Sequence, residues 1–196
     1  MTLDQIIPAP ASQTHLMQHT FRAALTALSE PLRPVTIEPC EAPSELTPAL
    51  WALMLTLIDA DVSLCFPSAS AAVQANIQFH TRAQLVETPQ TADWVVLEAE
   101  ALDTPGLLDQ VRRGTHERPD QSASVLFIVG DDSTDVLAEG PGFREPTELR
   151  APAGEDLVFA LIRNAADYPL GYDSYFVDVS TVTGLPRSTR LVVRTD

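Results

Sequence analysis

Residues 124–129 read SVLFIV, a run in which only Ser124 is polar, and the reading of that run decides the fold. An alternation of apolar and polar side chains would leave one face of a strand in water. An unbroken apolar run of this length instead marks a strand covered on both faces, as at the centre of a parallel sheet flanked by helices. Two further runs, VSLCF at 62–66 and DWVVLEA at 93–99, also read as strands. SAAVQANIQFH at 70–80 has helical spacing, and TPGLLDQVRRG at 104–114 reads as a capped helix ending at a glycine. Strands alternating with helices over short connections predict the α/β class: a single layered domain over 1–196, with a mixed, largely parallel sheet flanked by helices.

The flanking segments extend this pattern. Ser12 can cap a helix whose apolar positions Leu16, Met17, Phe21, Ala24, Leu25 and Leu28 recur until Pro31 stops it. Thr47 and Pro48 form an N-cap and first-turn pair, and ALWALMLTLI at 49–58 is too apolar all round for a solvent-facing helix. Residues 131–153 hold acidic side chains, three prolines and a GPG, so a loop region with one short strand at 135–139 is expected. EDLVFALIRNAAD at 155–167 predicts a helix. After it, DYPLGYD at 167–173 reads as a sharp turn, because Pro169 fixes φ and Gly171 tolerates a positive one. SYFVDVS and TRLVV, joined by TGLPRS, are expected to close the fold as a β-ribbon.

Composition narrows the function classes. With 27 acidic and 12 basic residues the net charge is −15, a field that repels nucleic acid and anionic membranes. Every basic residue is an arginine. The absence of lysine removes the Schiff base of pyridoxal phosphate chemistry and the phosphate-loop lysine. The longest apolar run is too short to cross a bilayer and the first 20 residues carry no basic side chain, so a soluble cytoplasmic protein is expected. Cys40 and Cys65 lack CxxC spacing, and Cys65 sits in an apolar run where a buried thiol is expected.

Individual motifs carry modest chemical signals. His15 and His19, four apart on a helix, can supply two metal ligands but need a third, and a polar helix edge is the plainer reading. Gly140-Pro141-Gly142 can present amides to a phosphate or form a tight turn. Asp59 and Asp61 are either paired carboxylates or solvated punctuation. Arg22, Arg144 and Arg187 have the guanidinium forks to hold an anionic group, or else form surface salt bridges. No nucleophile elbow, Walker motif or triad stands out.

Taken in order, HTFRAALTALSEP (19–31), LTLIDAD (55–61), QFHT (78–81), GPGF (140–143), PLGYD (169–173) and LPRST (185–189) resemble the PhnH family of bacterial phosphonate catabolism. Leu32 departs from it, standing after Ser-Glu-Pro where the family often has glycine; Phe143 and Tyr172 replace branched aliphatics. The resemblance implies a fold like the large domain of the type I pyridoxal-phosphate transferases, without the cofactor. It implies an accessory subunit of the carbon–phosphorus lyase core, inactive alone, with PhnG, PhnI, PhnJ and PhnL relatives as partners and a homodimer in isolation. The assembled complex would convert MgATP and methylphosphonate to α-D-ribose 1-methylphosphonate 5-triphosphate. No cofactor is expected on this chain itself. The alternative is a catalytic or ligand-binding subunit that contacts nucleotide or phosphonate; Arg22, His80, Arg144, Asp173 and Arg187 are its candidate contacts, and no catalytic or metal residue is assigned.

Overall fold

The computed structural model describes residues 6–99 and 106–194. Its main sheet has seven strands: β1 (Pro34–Thr36), β2 (Ser63–Cys65), β3 (Gln84–Leu85), β4 (Trp94–Glu98), β5 (Ser124–Ile128), β8 (Asp173–Val177) and β9 (Thr181–Leu185). They lie in the order β1-β9-β8-β5-β4-β2-β3. The five strands from β8 to β3 are parallel, while β9 runs antiparallel to both its neighbours. A second, antiparallel sheet is built from β10 (Arg190–Val193), β6 (Thr134–Glu139) and β7 (Thr147–Ala151), in that order. The expected mixed, largely parallel α/β architecture is present.

Strand β5 is the middle strand of seven, as SVLFIV implies, and its residues divide between two cores. Leu126 joins one core with Leu64, Val96 and Tyr175; Val125 and Phe127 join the other with Cys65, Val95, Leu97 and Phe176. The pleat thus sends alternate side chains to opposite faces, and both faces are dry. The helices α1 (Gln13–Ser29), α2 (Pro48–Leu57) and α3 (Ala71–Thr81) belong to the first face. On the second lie α4 (Glu155–Ala166) and the smaller sheet. Helix α2 begins as its sequence dictates, Thr47 accepting a hydrogen bond from the Leu50 N–H, and Trp51, Ala52, Leu53 and Met54 are wholly buried. Ser12 stands at the N-cap of α1 but makes no side-chain cap bond.

Three expectations need correction. The helix expected at 104–114 is absent from its described part, which holds only a 3₁₀ turn at Leu108–Gln110 before Arg113 bridges Ser122; residues 104 and 105 lie outside the described region. Arg112 and Arg113 are drawn apart there, to Asp93 and to Asp167 respectively. The segment 131–153 is a hairpin of β6 and β7 rather than a loop with one strand. The closing ribbon is also different: β8 pairs with β9, built from residues read as the connection, and TRLVV leaves to pair with β6. Among the described residues, no helix is long and apolar enough to cross a membrane.

Candidate functional site

Four motifs that are distant in sequence form one chain of contacts, in which LPRST links the PLGYD turn to the GPG turn. Gly171 has φ of +113°, a conformation that glycine alone adopts easily, and the Tyr168–Pro169 peptide is cis. Asn164 of α4 clamps the turn: its side chain accepts from the Tyr172 N–H (3.1 Å) and donates to the Tyr172 carbonyl (2.9 Å). The Gly171 N–H donates to the Arg113 carbonyl at 3.0 Å.

Asp173 and Arg187, both candidate ligand contacts, are brought together. The Arg187 main-chain N–H and Nε donate to Asp173 Oδ1 at 2.9 and 3.3 Å, and Nη2 donates to Oδ2 at 2.7 Å. Nη1 donates to the carbonyls of Gly171 (2.8 Å) and Pro119 (3.1 Å). The side chains are 16% and 27% exposed, Arg187 first. The guanidinium fork therefore joins three chain segments, with Nε and both terminal nitrogens engaged.

The GPG turn joins the same assembly. Gly140 abuts the Ser188 carbonyl of LPRST, and Gly142 abuts the Ser29 carbonyl and the Pro31 ring at the end of α1. Leu32 follows with φ of +60°, its N–H bonded to the Gly184 carbonyl at 2.9 Å. A position that needs a left-handed backbone explains why glycine suits it. Tyr172 and Phe143 pack into the second core, and burial pushes the Tyr172 phenol up to about 12.

These motifs frame a groove of about 620 Å³ between α4 and β10. Gly140, Pro141, Ser188 and Tyr168 stand on its rim, and Ile162, Ala165, Leu191 and Val192 supply apolar wall. Tyr168 and Val192 are 63% and 60% exposed. The Arg190–Glu139 pair, 3.2 Å apart, lines one end. A space of this size and lining suits an apolar group, with few polar contacts to fix orientation.

The other candidates are dispersed. Arg22 projects from α1 and Arg144 follows the GPG turn; both are exposed. His80 Nε2 hydrogen-bonds the Ile7 carbonyl at 3.0 Å, with its ring edge-on to Trp51. Asp59 accepts from the Asp61 N–H at 2.9 Å, the geometry of an exposed turn. The His15 and His19 rings lie 4.2 Å apart, and no cluster of three metal-ligating side chains occurs among the described residues. Burial raises the Cys40 and Cys65 thiols, which disfavours the thiolate.

Sequence reasoning missed Asn164 and the groove wall. Asn164 interrupts an otherwise apolar stripe, Leu157-Leu161-Asn164, and a buried amide in such a stripe needs partners. Phe159, Ile162 and Ala166 form a second apolar stripe beyond the core-facing one, the available sign of a groove.

A family model described as "Bacterial phosphonate metabolism protein (PhnH)" matches residues 8–192. The chain belongs to the PhnH family. The PhnH match includes α1 and every motif that converges on the turn, and it assigns the chain to bacterial phosphonate metabolism. No curated protein matches the sequence.

Proposed function

We propose that this PhnH chain is an accessory subunit of the carbon–phosphorus lyase core, acting by association and inactive alone. The observation that carries the reading is the engagement of Arg187. Its motif supplies the most promising anion fork, yet that fork is held by Asp173 and two carbonyls, which makes the convergence of motifs a structural brace. The groove beside it, where Tyr168 and Val192 stand exposed, suits protein contact. In this reading the chain works in the cytoplasm with PhnG, PhnI, PhnJ and PhnL relatives, and the assembly forms α-D-ribose 1-methylphosphonate 5-triphosphate from MgATP and methylphosphonate. The likeness to the large domain of pyridoxal-phosphate transferases, the single-domain organisation and a homodimer in isolation belong to the same proposal. No lysine is present to form an internal aldimine with that cofactor.

Arg22 and Arg144 sustain the second reading, that of a ligand-binding subunit, because both are exposed and neither enters an ion pair among the described residues. Reconstitution tests the first reading, and calorimetric titration of the isolated chain with MgATP or methylphosphonate separates the two, since binding that Arg22→Ala or Arg144→Ala abolishes would favour the second. Product should form with the full set of subunits, fall when this chain is omitted, and be absent with this chain alone. Turnover of MgATP by the isolated chain, or an unchanged yield without it, would refute the accessory reading.

A further inference from the structure

Helix α1 leaves part of its surface in water, and that surface has no carboxylate of its own. The helix contains no acidic residue in 17 positions, in a chain with 27 acidic residues and a net charge of −15. Leu16, Thr20, Ala23, Ala24 and Ala27 form its buried face. At helical spacing, Met17, Phe21, Leu25 and Leu28 then fall along one edge of the outer face, and His15, His19 and Arg22 along the other. Phe21 and Leu25 are 48% and 53% exposed, although their spacing had marked them for the core. Glu38 stands 3.4 Å from His15, and Arg22 is in no ion pair among the described residues.

We propose that this outer face docks a helix of another subunit that carries apolar side chains beside carboxylates; the proposal rests on the accessory reading above. The apolar row at i, i+4 and i+8 forms a ridge that a second helix can receive in a groove of its own, as in ordinary helix pairing. Arg22 on the polar edge selects a carboxylate on that helix. Charge complementarity also argues against a second copy of this chain. A closed two-fold pair through α1, with Arg22 near the middle of the helix, would set Arg22 against its own equivalent. Reaching the acidic surface elsewhere on a copy would instead need a head-to-tail contact, which propagates rather than closes.

The test co-expresses the full-length tagged chain with the PhnG, PhnI, PhnJ and PhnL relatives. It compares wild type with a Phe21→Ser/Leu25→Ser double variant and with Arg22→Glu, all at exposed positions, after checking that each melts like wild type. Wild type should retain a partner subunit, and each variant should retain it roughly tenfold less well, the size of one good interface contact. Replacing a facing glutamate of the partner by arginine should restore binding to Arg22→Glu. If both variants retain partners as wild type does, this docking face is refuted while the accessory reading stands. If wild type retains none, both fail together. Loss of self-association in the variants with partner retention intact would assign the face to a second copy and overturn the proposal.

Discussion

Arg187 reaches across from the start of one turn to hold Asp173 at the end of another, with contacts of 2.7 and 3.3 Å to its two carboxylate oxygens. Arg187→Ala leaves that carboxylate two-thirds or more covered without its counter-charge, and frees the Gly171 and Pro119 carbonyls. Breaking one side of a partly buried pair costs less than it would in a fully buried one, about 2–3 kcal/mol. We expect urea unfolding to show a loss of that order. Arg187→Ala with unchanged stability would argue that the brace contributes nothing and return Arg187 to the ligand candidates.

Gly171 gives a sharper test of the turn. A side chain there would meet the Asn164 amide oxygen and main-chain carbonyl, in addition to the strain of a positive φ. Gly171→Val should lower stability by about 2 kcal/mol or more. Gly171→Ala should fall between valine and wild type, and a melting temperature unchanged in both would contradict the geometry.

Leu32 combines a backbone liability with a packing asset. Glycine there would relieve about 1 kcal/mol of left-handed strain but remove a side chain only 4% exposed, worth roughly 2–5 kcal/mol. Leu32→Gly should therefore be destabilised by about 2 kcal/mol, measured by denaturant unfolding. A stabilised variant would show that strain outweighs burial at this position.

Alkaline stability should depend on Tyr172 and Tyr175, whose phenols burial pushes from 10.0 up to about 12. The folded state holds these protons more tightly than the unfolded chain. Their contribution is complete below pH 10 and is lost as pH rises towards 12, by up to roughly 3 kcal/mol for each. Tyr172→Phe should flatten that alkaline fall, followed by melting temperature and tyrosinate absorbance. An equally steep fall in the variant would exclude Tyr172 as a source.

Asp93 has the opposite sign. Burial alone would raise its carboxyl, but hydrogen bonds from Ser63 and Arg112 and the Arg112 charge hold it below the ordinary 3.8. Its contribution is present above that value and is lost as pH falls through the lowered one. Ser63→Ala should move the acid unfolding midpoint upward, and an unmoved midpoint would show that the hydroxyl bond is immaterial.

The sequence displayed the parallel core because periodicity and composition agreed there: SVLFIV has no polar position to turn outward, and α2 has apolar residues all round. Agreement failed where tertiary contacts overrode local signals. The expected helix at 104–114 has apolar positions at helical spacing, yet its two arginines bind carboxylates in different directions. Strand β7 was hidden because two of the five residues of TELRA are charged, as befits a sheet edge. The groove was illegible for a different reason. Its wall combines residues of α4 and β10, which no one-dimensional pattern relates.

Strand β1 pairs with β9 alone, Pro34 lying opposite Thr183, and α1 rests on β9 where Gly184 has no side chain to hold it off. A ribosome makes these partners far apart in time, with α2, α3, α4 and seven strands between them. Until β9 has been made, β1 has no strand to pair with, and α1 has α2 to pack on but lacks the sheet surface that later covers the rest of its buried face. Formation of β9 is thus the step that closes this side of the sheet. A ribosome that stalls after α4 releases a polypeptide with its sheet open at β5, prone to be cleared rather than assembled.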